Sequence, residues 1–417
     1  MNIVIDPSPL EGEITAIPSK SVAHRMLICA ALADTPTTLY IPQTSDDINA
    51  TAGCLKALGA GVTVNETDYI INPLVKTENP PRLDCGESGS TLRFLLPVAA
   101  AVADRCGFDG HGRLPDRPLS ELTDVMREHG VSFDTEKLPF TINGRLRDGI
   151  YRLPGNVSSQ YITGLMLALP LCEGNSVIEL TTPLESASYI DITLSVLKTF
   201  GIDIRCEGNR YFITGKQTFR SPGTLPVEGD WSNAAFFLTA AALNNKISMT
   251  GLNPDSAQGD RKIISLLKQL GAKVRQEKGR LSLTADRLKG CTIDIQDTPD
   301  LLPVLSVAAA WAEGKTTFIN AARLRLKESD RLASSAAMIE NLGGRAEAGE
   351  DYLTVYGTGL TGGTVNSCND HRIAMSAAIA ATKCKKPVTI LNAEAVRKSY
   401  PGFYNDYNQT GGKAYVL

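Results

Sequence analysis

The chain has 417 residues, 43% hydrophobic and 21% charged, the balance of an ordinary globular protein long enough for two or three domains. With 45 acidic against 42 basic residues the net charge is -3, so no global positive field draws nucleic acid or an anionic membrane, and an anionic ligand needs a local cluster of cations. The nine cysteines are scattered without a C-x-x-C pair, the start MNIVIDPSPLEGE has acidic residues where a signal peptide carries cations, and no apolar run reaches a membrane span; a reducing, cytoplasmic setting is expected.

In chain order, MNIVID is a strand, and residues 13–82 then read as one complete unit. EITAIP is a short alternating strand, Ser21 caps an Ala-rich helix through Ala33, and TTLYIP is a second strand. Asp46 and Asp47 cap a second helix that ends at Gly59, and GVTV with YIINP forms a strand pair. That order is βαβαββ. Segments matching LKALGAGVTV recur at Gly59, Gly130, Gly201, Gly271 and Gly343, spaced 71, 71, 70 and 72 residues, and TGGKAYV adds Gly412 after 69. A polar residue opening each first helix keeps the same period: Ser21, Ser90, Ser159, Asp230, Asp300 and Asp370, spaced 69, 69, 71, 70 and 70. Two markers with one period make six copies of the unit, each larger than the repeats of about 20 to 50 residues that build solenoids.

Six such units fit two globules of three better than one core. The Pro/Gly stretch RSPGTLPVEGD is the expected division, and MNIVID, outside every unit's frame, is placed with the later globule. The domains expected are 1–18 with 228–417, and 19–227, the chain crossing near Pro18 and near Val227.

Equivalent places in repeated modules lie at equivalent places in space, so the first-helix N-termini should point the same way within each globule. Two facing globules would bring six helix starts to one cleft. Unpaired N–H groups and the positive end of the macrodipole make such starts anion sites. The residues there are Lys20, Ser21 and Arg25; Ser90 and Arg93; Ser158, Ser159 and Gln160; Asp230 and Ser232; Asp300; Asp370 and Arg372, with Arg117, Lys327, Glu328, Asp330, Arg331, Arg397 and Lys398 outside them. Singly, each Ser or Asp reads as a cap and each cation as a surface group. Together they suit ligands bearing phosphates and carboxylates, with Glu328 and Asp300 the candidates for proton transfer. The sequence has no P-loop, dinucleotide fingerprint, H-E-x-x-H or G-x-S-x-G elbow, and its four histidines are scattered, which disfavours ATP, NAD and metal chemistry.

The stretches PSKSVAHR (18–25), GESGSTLRFL (86–95), LPDRPL (114–119), VSSQYITGL (157–165), SYIDITL (188–194), EGDWSNAAFFL (228–238), TPDLLPVL (298–305), LRLKESDRL (324–332), NDHRIAMS (369–376) and VRKSYP (396–401) resemble, in order, those of 5-enolpyruvylshikimate-3-phosphate synthases. The resemblance covers nearly the whole chain. It implies an α/β fold, a two-domain inside-out α/β barrel of six βαβαββ repeats, three per domain, with the active site in the cleft between the domains. It also implies transfer of the enolpyruvyl group of phosphoenolpyruvate to the 5-hydroxyl of shikimate 3-phosphate without a cofactor, by a monomer that binds neither nucleic acid nor membrane. Shikimate 3-phosphate would be held by Lys20, Ser21, Arg25, Ser158, Ser159, Gln160, Ser186, Asp300 and Lys327, with Tyr189 packing beside it. Phosphoenolpyruvate would meet Lys20, Gly89, Arg117, Gln160, Arg331, Arg372 and Lys398. Asp300 would take the 5-hydroxyl proton, and Glu328 with Lys20 would protonate the enol carbon.

Two positions depart from the family pattern. Glu87 stands where many members have Asn, and its carboxylate would repel phosphoenolpyruvate unless it turned away or paired with an Arg; Arg323 replaces an Asn that in some members touches shikimate 3-phosphate. Gly89 stands where members insensitive to glyphosate, a competitor of phosphoenolpyruvate, carry a methyl group, so a sensitive enzyme is expected. The rival readings are the sister transferase acting on UDP-N-acetylglucosamine, whose proton-donating Cys is absent from HGRLPDRPLS, and an inactive binding relative, against which Lys20, Asp300, Glu328 and Lys398 stand.

Overall fold

The computed structural model describes residues 1–417, which form six four-stranded sheets in two compact units: Met1–Ile17 with Glu228–Leu417, and Pro18–Val227. Every sheet has the same plan. In the sheet Arg82–Asp84, Arg105–Asp109, Phe140–Asn143, Ser132–Phe133, the first pair is parallel and the other two antiparallel. A crossover helix, Gly89–Val102, joins the parallel strands, and the helix Ser120–Glu128 leads to the closing hairpin. Parallel neighbours need such a crossover, whereas antiparallel ones close through a tight turn.

The marker glycines end the second helices. Gly59, Gly130, Gly201, Gly271 and Gly343 all have positive φ, between 77° and 111°, a conformation only glycine adopts without strain, and each lies two residues beyond its helix. In the sixth copy the residue in this role is Gly411 (φ 93°) rather than Gly412.

Three readings of the repeat frame are corrected. The strand Glu11–Thr15, read as the opening of the first repeat, pairs in parallel with Lys246–Thr250 of the fourth, inside the compact unit Met1–Ile17 with Glu228–Leu417. Its place beside Thr37–Tyr40 is taken by Thr224–Pro226, which lies inside the Pro/Gly stretch read as a linker. The two crossing segments thus exchange their opening strands, a pairing that local pattern does not encode. Ile3–Asp6 sits between Val388–Leu391 and Lys413–Val416, so the N-terminus supplies the last strand of the sixth unit. The caps also shift. Ser19, Ser88 and Ser158 cap the first helices, leaving Ser21, Ser90 and Ser159 inside the first turn; Asp300 lies in a 3-10 turn, while Asp230 and Asp370 do cap their helices.

The first helices are apolar all round and buried along their length, as a helix enclosed by sheets must be. His371–Ala381 is buried throughout. In Ser159–Ala168 and Trp231–Ala242 every residue is buried but one, Gln160 in the first and Ser232 in the second, each in the first turn. These helices pack on one another inside each unit: Trp231–Ala242, Leu302–Ala309 and His371–Ala381 in one, and Gly89–Val102 against Lys20–Leu32 and Ser159–Ala168 in the other. Burial removes the shafts from solvent, and in Ser159–Ala168 and Trp231–Ala242 it leaves a polar residue of the first turn accessible.

Candidate active site

In the unit Pro18–Val227, close packing sets the register of the site. The Gly164 Cα faces the Arg93 carbonyl so closely that a Cβ there would lie 2.2 Å from it, so glycine alone allows the helices Ser159–Ala168 and Gly89–Val102 to approach. One turn before Gly164, Gln160 donates to Ser90 Oγ (2.9 Å) and accepts from Arg93 Nη1 (2.7 Å). Arg93 Nη2 reaches the Pro118 carbonyl (2.9 Å), to which the Tyr161 hydroxyl also donates (2.6 Å). These bonds fix the turn that carries Arg117. The Arg117 guanidinium lies over Gly89: a Cβ on Gly89 would be 2.5 Å from Arg117 Nη1 and 2.9 Å from Arg93 Nη1. The buried Arg117 Nε has no hydrogen-bond partner. Two guanidinium groups at the N-terminus of a 14-residue helix suit an anion by both charge and macrodipole.

Lys20, the first residue of its helix, is paired with Asp47 at 2.8 Å. Arg25, 2% exposed, donates to Thr193 Oγ1, the Ser21 carbonyl, Thr163 Oγ1 and the Tyr189 carbonyl, at 2.8, 2.6, 3.3 and 3.1 Å. Of its N–H groups one Nη1 hydrogen is left for a ligand, so Arg25 chiefly ties the helix Lys20–Leu32 to Ser159–Ala168 and Ser188–Thr199. Burial lowers its guanidinium to about 10. Ser186 is buried at φ 55°, a left-handed conformation that a serine holds only under constraint. The Glu87 carboxylate rests against Gly112, where an added Cβ would lie 2.6 Å from its Cδ, and so packs on the turn that precedes Arg117.

In the unit formed by Met1–Ile17 and Glu228–Leu417, carboxylates and cations alternate around Arg331. This guanidinium, 1% exposed, reaches Asp300 Oδ1 (2.6 Å), Glu328 Oε2 (2.5 Å) and Asp370 Oδ2 (2.9 Å). Lys327 Nζ approaches Asp300 Oδ1 at 3.2 Å, and Arg372 reaches the Asp300 carboxylate (3.3 Å) and carbonyl (3.2 Å). Desolvation lowers the Lys327 ammonium while Asp300 raises it. Lys398 donates to the Asn369 carbonyl (2.8 Å), which a left-handed pair, Cys368 and Asn369, presents just before the Asp370 cap. Asp300, Lys327, Glu328, Arg331 and Arg372 therefore form one network; Lys398 joins it through the Asn369–Asp370 turn.

Both clusters include residues outside the sequence-derived site: Asp47 behind Lys20, Arg93 and Tyr161 behind Arg117, and Asp370 behind Arg331. Arg93 and Asp370 were visible as helix-start residues. Asp47 reads as a cap of the helix Asp46–Ala57, which Ser45 caps instead, and Tyr161 carries no signal; their partners are 27 and 43 residues away in sequence.

One unit thus offers cations and hydroxyls at helix starts, and the other carboxylates held by cations, a division suited to anion binding and proton transfer. The fold is shared with the enolpyruvyl transferase NikO from Streptomyces tendae, which matches with a TM-score of 0.80 at 18% identity, over 99% of this chain and 98% of its own. The family profile for EPSP synthase (3-phosphoshikimate 1-carboxyvinyltransferase) matches residues 4–407. The 3-phosphoshikimate 1-carboxyvinyltransferase of Clostridium kluyveri is 43% identical over 99% of this chain and 97% of its own length, and that of Clostridium acetobutylicum is 43% identical over 99% and 98%. An EPSP synthase from Acinetobacter baumannii superposes with a TM-score of 0.83 at 27% identity, covering 100% of this chain and 99% of its own. The chain belongs to the EPSP synthase family.

Proposed function

We infer that this chain carries out the reaction of its family in the shikimate pathway of aromatic amino acid biosynthesis, transferring the enolpyruvyl group of phosphoenolpyruvate to the 5-hydroxyl of shikimate 3-phosphate with release of phosphate. Protonation of the methylene makes the enol carbon cationic, the 5-hydroxyl oxygen attacks it and loses its proton, and the tetrahedral adduct expels phosphate as a methyl proton leaves. The observation that carries this reading is the pairing of two chemistries in one chain. Arg117, Arg93 and the helix start at Gly89 suit a doubly anionic ligand, and Asp300 and Glu328, both bonded to Arg331, suit proton movement.

On this reading Lys20, Ser21, Ser158, Ser159, Gln160 and Ser186 hold shikimate 3-phosphate, with Lys327 and Asp300 at its ring hydroxyls and Arg25 contributing its remaining donor. Gly89, Lys20, Arg117, Gln160, Arg331, Arg372 and Lys398 hold phosphoenolpyruvate. Asp300 is the base, and Glu328 with Lys20 moves the proton to the enol carbon. Arg331 and Arg372 are bonded to carboxylates, so a bound anion shares these cations with Asp300 and Glu328. Residues of both units take part, in a cytoplasmic, monomeric enzyme. Exclusion of water protects the adduct.

The test is phosphate release from phosphoenolpyruvate with shikimate 3-phosphate, run beside UDP-N-acetylglucosamine as the acceptor. Turnover with the first alone is expected. Turnover with the second, or with neither, refutes the reading.

A further inference from the structure

Asp260 lies in the 3-10 turn Gly259–Lys262, 5% exposed, packed against the helix Trp231–Ala242. A carboxylate is costly to bury, and this one accepts a hydrogen bond at its Oδ2 from the Ser232 hydroxyl. Ser232 is the one residue of its helix that is not buried. The same hydroxyl accepts from Arg372 Nη2 at 2.7 Å. That Nη2 also reaches Asp300 Oδ2 at 3.3 Å, and Arg372 Nη1 reaches the Asp300 carbonyl at 3.2 Å. Arg372 is therefore fixed from two sides, by Asp300 and by Ser232.

A serine has one hydroxyl proton. Burial, and next the Asp300 carboxylate, push the Asp260 carboxyl up to about 6, while Arg372 and the Ser232 bond pull it down and Asp230 raises it slightly. The Arg372 guanidinium can only donate, so the Ser232 hydroxyl accepts from it and turns its own proton to Asp260. The Ser232 proton is committed to it, and the Ser232 lone pairs face Arg372. Without Asp260 that proton is free to turn toward the guanidinium, setting donor against donor.

We infer that Asp260 is a positioning residue for the reaction: through the Ser232 hydroxyl it holds the Arg372 guanidinium in the orientation that receives the anionic enolpyruvyl donor. The inference rests on the assignment of Arg372 to phosphoenolpyruvate made above.

Steady-state kinetics of the full chain with both substrates test it. Asp260→Leu and Ser232→Ala are each expected to raise KM for phosphoenolpyruvate about tenfold, with kcat and KM for shikimate 3-phosphate changing by less than about threefold. Asp260→Asn, whose amide oxygen still accepts from Ser232, recovers most of that loss. The double variant Asp260→Leu/Ser232→Ala is no worse than the poorer single, because both cut one chain of bonds. Wild-type KM for phosphoenolpyruvate in Ser232→Ala, a parallel rise in both KM values, or additive losses in the double variant overturns the inference. If Asp260→Leu does not fold, Ser232→Ala and Asp260→Asn carry the test alone. Arg372→Lys separates the two levels. An unchanged KM for phosphoenolpyruvate in Arg372→Lys removes the assignment of Arg372 itself, whereas a raised one beside a normal Ser232→Ala confines the failure to Asp260.

Discussion

Gly89→Ala is the substitution in which steric and functional effects separate most cleanly. The added Cβ would lie 2.5 Å from Arg117 Nη1, 2.8 Å from Arg117 Cζ and 2.9 Å from Arg93 Nη1. Contacts between nonbonded heavy atoms settle near 3.5 Å, so the Arg117 guanidinium must retreat by about 1 Å. The retreat costs little stability, because the crowded atoms are the ends of long side chains. Gly89 is also the first residue of its helix, where alanine is favoured over glycine by up to about 1 kcal/mol. The melting temperature is therefore expected to hold or rise. A charge-assisted hydrogen bond contributes about 1.5–3 kcal/mol, so losing part of the Arg117 contact raises KM for phosphoenolpyruvate about tenfold or more. KM for shikimate 3-phosphate should stay near wild type, and the inhibition constant of glyphosate should rise by more than KM for phosphoenolpyruvate. Initial rates at fixed shikimate 3-phosphate, with and without glyphosate, measure all three quantities. If KM for phosphoenolpyruvate and the inhibition constant both match the parent, Arg117 does not form the anion site argued above. A fall in melting temperature would show that the methyl is absorbed by the backbone instead.

Asp300→Asn keeps an oxygen for Arg331 but loses the base, so kcat is expected to fall by about 10²- to 10⁴-fold with shikimate 3-phosphate binding intact by calorimetry; near-normal turnover would remove Asp300 from the mechanism. Asp260, raised to about 6 in the fold, has its ionised form disfavoured there, so it favours the fold below its unfolded value near 3.8 and penalises it progressively as pH rises through 6. Asp260→Asn should therefore melt higher than the parent at pH 7.5, by about 3 kcal/mol at most, with the difference closing toward pH 4; a constant difference across that range would refute the shift. Because residues of both units are proposed to hold the substrates, shikimate 3-phosphate with glyphosate should lower the radius of gyration in small-angle scattering, and an unchanged value at saturation would count against it.

The repeat was legible in the sequence because it is written in local chemistry. A glycine that must take positive φ two residues past a helix, and a polar residue near each helix start, recur whatever the rest of the unit contains. The motifs brought the family and most of the candidate site residues with them. Local pattern placed caps within two residues, but it took Ser21 and Ser90 for caps where Ser19 and Ser88 serve, since any hydroxyl near a helix start fits the rule. Only the tertiary structure decided which strand pairs with which. Glu11–Thr15 and Thr224–Pro226 have equivalent patterns and exchange places because the chain crosses twice, and a strand's hydrogen bonds do not name their partner. Tertiary structure alone also decided what stands behind each site residue. Arg25 looks like a ligand-binding cation in PSKSVAHR, yet four of its five donors are spent on protein groups as far as 168 positions away. Asp260 falls in none of the motifs or markers, yet burial and a serine join it to Arg372. Burial and pairing over such separations depend on how the helices pack, and no period in the sequence records that.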